Sequence, residues 1–123
     1  MDVKEEQILA HDIKRHWYYV SKGRTLRRML RHVSADTVLD VGAGSGIFSR
    51  QLLDFGICRR AVCVDPAYKK EHMELHNGKE IHFVRSADSV SPKLTLMMDV
   101  LEHVSDDSAL LRHYTDVMPK GGY

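Results

Sequence analysis

Cysteine is scarce in this 123-residue chain: Cys58 and Cys63 are the whole supply, too few for a disulfide framework or a four-ligand zinc site. No metal is expected, and a reducing cytoplasm is the expected location. No apolar run approaches the roughly 18 residues that a membrane-spanning helix needs, so no membrane partner is expected. The opening Met1-Asp2-Val3-Lys4-Glu5-Glu6 is polar and acidic, unlike a signal or transit peptide. Internal repeats and low-complexity segments are lacking too, which excludes a solenoid or a disordered tail. What remains, 43% hydrophobic and 28% charged residues, suits one ordinary folded domain.

The net charge of +1 hides an asymmetry: residues 1–12 carry −3, residues 13–35 carry +7 without one acid, and residues 36–123 carry −3. Arg24, Arg27, Arg28 and Arg31 recur at helical spacing, with Leu26, Met29, Leu30 and Val33 on the other side. A basic amphipathic helix of this kind meets phosphate in some proteins, but no aromatic residue interleaves with these arginines to stack on bases. A solvated face is the preferred reading, and a nucleic-acid partner is not expected.

Leu9, Ile13 and Trp17 predict a helix over residues 4–19, and Gly23 is read as a break before the basic helix. Two helices therefore fill an N-terminal segment, residues 1–35. From residue 36 the pattern changes to short apolar runs. Thr37–Val41, Ala61–Val64, Ile81–Val84 and Leu94–Met98 read as four buried strands. Ile47–Asp54 reads as a helix with Phe48, Leu52 and Leu53 inward and Gly56 as its left-handed stop. Ala67–Leu75 reads as a short helix ended by Asn77-Gly78. Asp106–Met118 reads as a helix with the stripe Leu110, Leu111, Tyr114, Val117 and Met118. This alternation predicts an α/β domain over residues 36–123, with a mostly parallel, doubly covered sheet.

Ligands of such sheets bind beyond the carboxyl ends of the strands. Gly42, Ala43, Gly44 and Gly46 follow the first predicted strand, Asp65-Pro66 the second, Asp88 the third, and Asp99 the fourth. An acid 19 residues after Gly46, at the next strand end, suits the paired hydroxyls of a ribose, found in dinucleotides and in S-adenosylmethionine alike. Glycine spacing separates the two, because neither Ile47 nor Ser49 satisfies the sixth place of the dinucleotide fingerprint.

Asp40-Val41-Gly42-Ala43-Gly44-Ser45-Gly46 resembles the first motif of class I S-adenosylmethionine-dependent methyltransferases, small-molecule type. Ala61–Pro66 is similar to their second motif, Ser86-Ala87-Asp88 to the adenine-contacting segment, and Asp99-Val100-Leu101-Glu102-His103-Val104 to the segment after strand four. Met118-Pro119-Lys120-Gly121-Gly122 resembles the turn before strand five, and His16-Trp17-Tyr18-Tyr19 an aromatic stretch before the first strand. The resemblance implies a Rossmann-like fold and methyl transfer from S-adenosylmethionine, leaving S-adenosylhomocysteine. It implies glycines 42, 44 and 46 beneath the methionine part, Asp40 toward its ammonium, Asp65 on the ribose, Asp88 on the adenine amino group, and Met98, Asp99 and Val100 around the sulfonium. The acceptor is expected to be a small molecule.

Glu102 and His103 are candidate acid–base residues, weighed against a polar turn that starts a helix. His72 and His76 are read as a solvated helical face, Cys63 as a core residue and Cys58 as a loop thiol. A non-catalytic remnant and a nicotinamide-dependent dehydrogenase fragment are the alternatives. Because strand five should begin near Tyr123, the chain is expected to be the N-terminal part of a longer enzyme, with strand four a candidate edge for self-association.

Overall fold

Val38, Leu39 and Val41 are apolar on both sides of one strand, which only a sheet covered on two faces can bury. A computed structural model describes residues 13–87, 90–98, 100 and 105–123 and shows such a sheet. In chain order its elements are helix α1 (Ile13–Met29), β1 (Ala35–Val41), α2 (Ile47–Asp54), β2 (Cys58–Val64), β3 (His72–His76), β4 (Lys79–Val84), β5 (Leu94–Leu96) and α3 (Asp107–Val117). The five strands lie in the order β3-β4-β2-β1-β5. All pairings are parallel except β3 with β4.

Val38, Ala61, Cys63, Ile81 and Phe83 face α1 and α2, which contribute Tyr19, Leu26, Phe48, Leu52 and Leu53. Leu39, Val41, Val62 and Val64 form the opposite layer with Ala87, and Tyr114 of α3 packs against it. Leu52 and Leu53 are almost wholly buried, each contributing on the order of 2 kcal/mol. Among the described residues no helix is long and apolar enough to cross a membrane.

Several local expectations are corrected. Among the described residues a single helix spans Ile13–Met29, and the expected break at Gly23 is absent because α1 runs straight through it. Tyr19, Gly23 and Arg27 meet Phe48, Gln51 and Phe55 in turn, so α1 and α2 run side by side in one direction. A Cβ at residue 23 would collide with the Gln51 side chain, so the glycine permits close approach and breaks nothing. Two residues expected on apolar stripes point outward instead, Trp17 at 57% and Met29 at 75% exposure.

The segment read as a helix over Ala67–Leu75 holds strand β3 and a loop before it. Asn77 and Gly78 both take positive φ (51° and 81°), and His76 pairs with Lys79 across them. That is the two-residue turn whose twist matches a hairpin. Among the described residues the sheet therefore has five strands, where four were expected. Cys58 is buried in β2, not in a loop, and its thiol is pushed up to about 11 by burial. Helix α3 forms over the expected residues, with Asp106 as N-cap accepting from the Ala109 N–H at 2.9 Å, but it buries none of its stripe completely. Outside β5, Tyr123 donates to Lys93 O at 2.6 Å and accepts from Thr95 N at 2.8 Å, so this edge is partly paired. Residues 4–12, where the first helix was expected to begin, lie outside the described residues.

Helix α2 ends as anticipated. Gly56 (φ 76°) donates to Leu53 O at 3.2 Å and Ile57 donates to Leu52 O at 3.1 Å, the paired bonds of a left-handed helix stop. No atom lies within 4 Å of where a Cβ at residue 56 would sit, so only backbone strain opposes a side chain. Gly56→Ala is expected to destabilise the fold by about 1 kcal/mol, and Gly56→Asn by less, in urea unfolding at equal slope.

Candidate functional site

β1 and β2 end in step, with Val41 opposite Val64, and the next residues leave the sheet together. Gly42 turns with φ 67°, its N–H donating to Val64 O at 2.7 Å. Gly44 and Gly46 also take positive φ (55° and 77°), and the Gly46 N–H closes on Ala43 O at 2.9 Å. The chain goes from β1 outward through β2 to β4 and β3, then returns to β5 on the other flank of β1. The glycine loop therefore stands where the strand order reverses, the crevice in which open α/β sheets take ligands.

A Cβ at Gly42 would lie 2.6 Å from Cγ2 of Val100, and one at Gly46 3.2 Å from Sγ of Cys63. The missing side chains at these two positions make room for protein: the segment after β5 at one, the sheet beneath α2 at the other. Asp65 follows β2 directly, and its Oδ1 accepts from the Ala67 N–H at 2.9 Å. Among the described residues nothing bonds its Oδ2, which leaves a carboxylate oxygen open beside the loop. Pro66 is exposed, and Met98 packs half-buried against the main core layer.

Asp40 differs from the other candidates. It is 2% exposed beneath α2 and accepts from the Ser49 hydroxyl at 2.7 Å, while the Cys63 thiol donates to Ser49 Oγ at 3.5 Å. Burial outweighs the Ser49 bond and raises its carboxyl from 3.8 to about 6. Burial likewise pushes the Cys63 thiol up to about 12.

The structure thus brings together Asp40, Gly42, Ala43, Gly44, Gly46, Asp65, Pro66, Met98 and Val100 at the carboxyl ends of β1, β2 and β5. Asp88, Asp99, Glu102 and His103 lie outside the described residues. His72 and His76 sit on strand β3, not on a helix, where His72 meets Glu74 at 3.1 Å and His76 meets Asp54 at 2.9 Å. Among the described residues no cluster of three metal-ligating side chains occurs. Three side chains escape sequence reasoning. The Tyr68 hydroxyl donates to Gly44 O at 2.6 Å, Arg50 Nε donates to Ser45 O at 3.2 Å, and Ser49 caps Asp40. Their one available signal is proximity to the motif, Tyr68 three residues after Asp65 and Ser49 three after Gly46.

A family model described as a methyltransferase domain matches residues 10–123, and the chain belongs to that family. It is also similar to the ubiquinone biosynthesis O-methyltransferase of Paramagnetospirillum magneticum (strain ATCC 700264 / AMB-1), 30% identical over 101 residues, 76% of this chain and 41% of that protein. The chain thus spans about two fifths of the length of that curated relative. No solved structure matches the chain.

The Asp40 shift has a definite sign. Folded at about 6 and unfolded at 3.8, the group keeps its proton in the folded state between those pH values. Its contribution favours folding below about pH 4 and is lost as pH rises through about 6, an effect on the order of 3 kcal/mol. Asp40→Asn is therefore expected to be the more stable protein at about pH 7.5, its advantage shrinking towards zero near pH 4. Urea unfolding at the two pH values measures this, and an advantage independent of pH would contradict it.

Proposed function

We propose that this chain carries the cofactor site of an S-adenosylmethionine-dependent methyltransferase acting on an oxygen of a small molecule. The observation that carries the reading is Asp65, an open carboxylate oxygen at the end of β2 beside the glycine loop at the strand-order reversal. Its chemistry fits the two vicinal hydroxyls of a ribose, to which a charged acceptor makes strong hydrogen bonds. The bond from Ala67 to Oδ1 fixes the carboxylate so that little side-chain entropy is lost on binding.

S-adenosylmethionine supplies a methyl group activated on a sulfonium. The loop over residues 42–46 would hold its amino-acid end, and Asp40, below that loop, would supply negative charge toward the ammonium. Met98 and Val100 would line the sulfonium side. Because the leaving group is intrinsically good, these residues serve chiefly to hold donor and acceptor in line. No metal enters this reading. The O-methyltransferase name of the similar protein supports an oxygen nucleophile.

Asp65→Ala is expected to weaken binding of S-adenosylhomocysteine by about 1.5–3 kcal/mol with the fold intact, read by calorimetric titration. An unchanged dissociation constant would remove the ribose assignment. Binding of a nicotinamide dinucleotide in place of S-adenosylhomocysteine would replace the methyltransferase reading altogether.

A further inference from the structure

Two successive carbonyls of the glycine loop are held from behind by side chains of different elements. Tyr68 donates its hydroxyl to Gly44 O at 2.6 Å, and Arg50 of α2 donates Nε to Ser45 O at 3.2 Å. Both donors are anchored. Arg50 reaches on to Glu74 of β3 at 2.7 Å, and Arg85 bonds the carbonyls of Tyr68, at 2.7 Å, and Lys69. Both also rest on Phe83: the Tyr68 ring lies edge-on at 5.7 Å and the Arg50 guanidinium lies 5.8 Å from its centroid. His72 stacks on the same ring at 4.7 Å.

A trans peptide is planar, so fixing the Gly44 oxygen turns the Ser45 N–H the opposite way, and fixing the Ser45 oxygen does the same for the Gly46 N–H. Glycines have the widest backbone freedom of any residue, and an untethered loop of this composition would have to be ordered at each binding event. We propose that Tyr68 and Arg50 are positioning residues for the amino-acid end of the cofactor, acting through the Gly44 and Ser45 carbonyls with the β3–β4 hairpin as their anchor. This rests on the cofactor reading above, in which the loop lies under that end and Asp65 under the ribose.

The test compares two probes on the full chain by calorimetry. S-adenosylhomocysteine has the amino-acid end, and 5′-methylthioadenosine keeps the adenosine and sulfur without it. Tyr68→Phe removes one hydroxyl and leaves the ring on Phe83. It is expected to lower affinity for S-adenosylhomocysteine about five- to tenfold, the worth of one hydrogen bond, and to leave 5′-methylthioadenosine within about twofold. Asp65→Ala, in contrast, lowers both. Equal losses on the two probes, or no loss on either, overturn the proposal while the cofactor reading stands. Failure of the unaltered chain to bind either probe overturns the cofactor reading and this inference with it. If Tyr68→Phe does not fold, Arg50→Lys, which loses the Nε donor, takes its place: a loss confined to S-adenosylhomocysteine supports the proposal, and equal losses or none overturn it.

Discussion

The hydrogen bond from the Gly42 N–H to Val64 O, 2.7 Å long, is where the sheet stops and the site begins. Parallel pairing puts Val41 opposite Val64, so the next residue on each strand is Gly42 on one side and Asp65 on the other. Residues 23 apart in sequence become neighbours through register alone. A one-residue slip would turn every side chain of β1 to the other face, taking Asp40 away from Ser49 and into the opposite apolar layer. The cost of leaving that buried acid without its partner opposes the slip, and the register it helps to hold determines where Asp65 stands relative to the loop.

Asp40 shows that the site is not arranged for stability alone. An acid at 2% exposure is costly unless bonded, and the Ser49 hydroxyl offsets only part of the desolvation. A valine there would extend the apolar layer of Val38 and remove the desolvation cost of the acid, though it would take the acceptor from the buried Ser49 hydroxyl. The acid instead puts ionisable charge under the loop, with Cys63 and Ser49 completing a small buried polar chain beneath Gly46. Membership of a methyltransferase family gives this local cost a setting, since cationic ligand groups are what a charge in this position would attract.

Elements whose signals are local were legible in the sequence. β1, β2, β4 and α2 follow from apolar runs and spacing, and Gly56 stops α2 as its position suggests. The misread segments are those where a second pattern competes. Tyr68, His72 and Leu75 fall at helical spacing, and Asn77-Gly78 serves equally as a helix stop or a hairpin turn; pairing with β4 decides for the hairpin. Gly23 reads as a break because Gln51, the side chain that lies against it, is 28 residues away. The site divides likewise. Gly42, Gly44, Gly46 and Asp65 stand in a fixed order along the chain. Tyr68 and Arg50 grip backbone carbonyls, which leave no trace in residue type.

The hairpin, whose Asn77-Gly78 turn reads equally well as a helix stop, also explains how the loop is held. A parallel crossover from β2 to β4 commonly passes through a helix, but here it passes through β3 at the edge of the sheet. Glu74 and the histidines give that short edge strand a polar character that discourages further pairing. The hairpin then grips α2 at both ends. Lys79 donates to Leu53 O at 2.7 Å, suiting the negative end of the helix, and His76 and Asn77 each meet Asp54 at 2.9 Å. Near the other end Glu74 takes Arg50, a bond that holds the Glu74 carboxyl below its usual range. Since the glycine loop is the entry to α2, a helix of only 8 residues, its position follows from these clamps as much as from the helix itself.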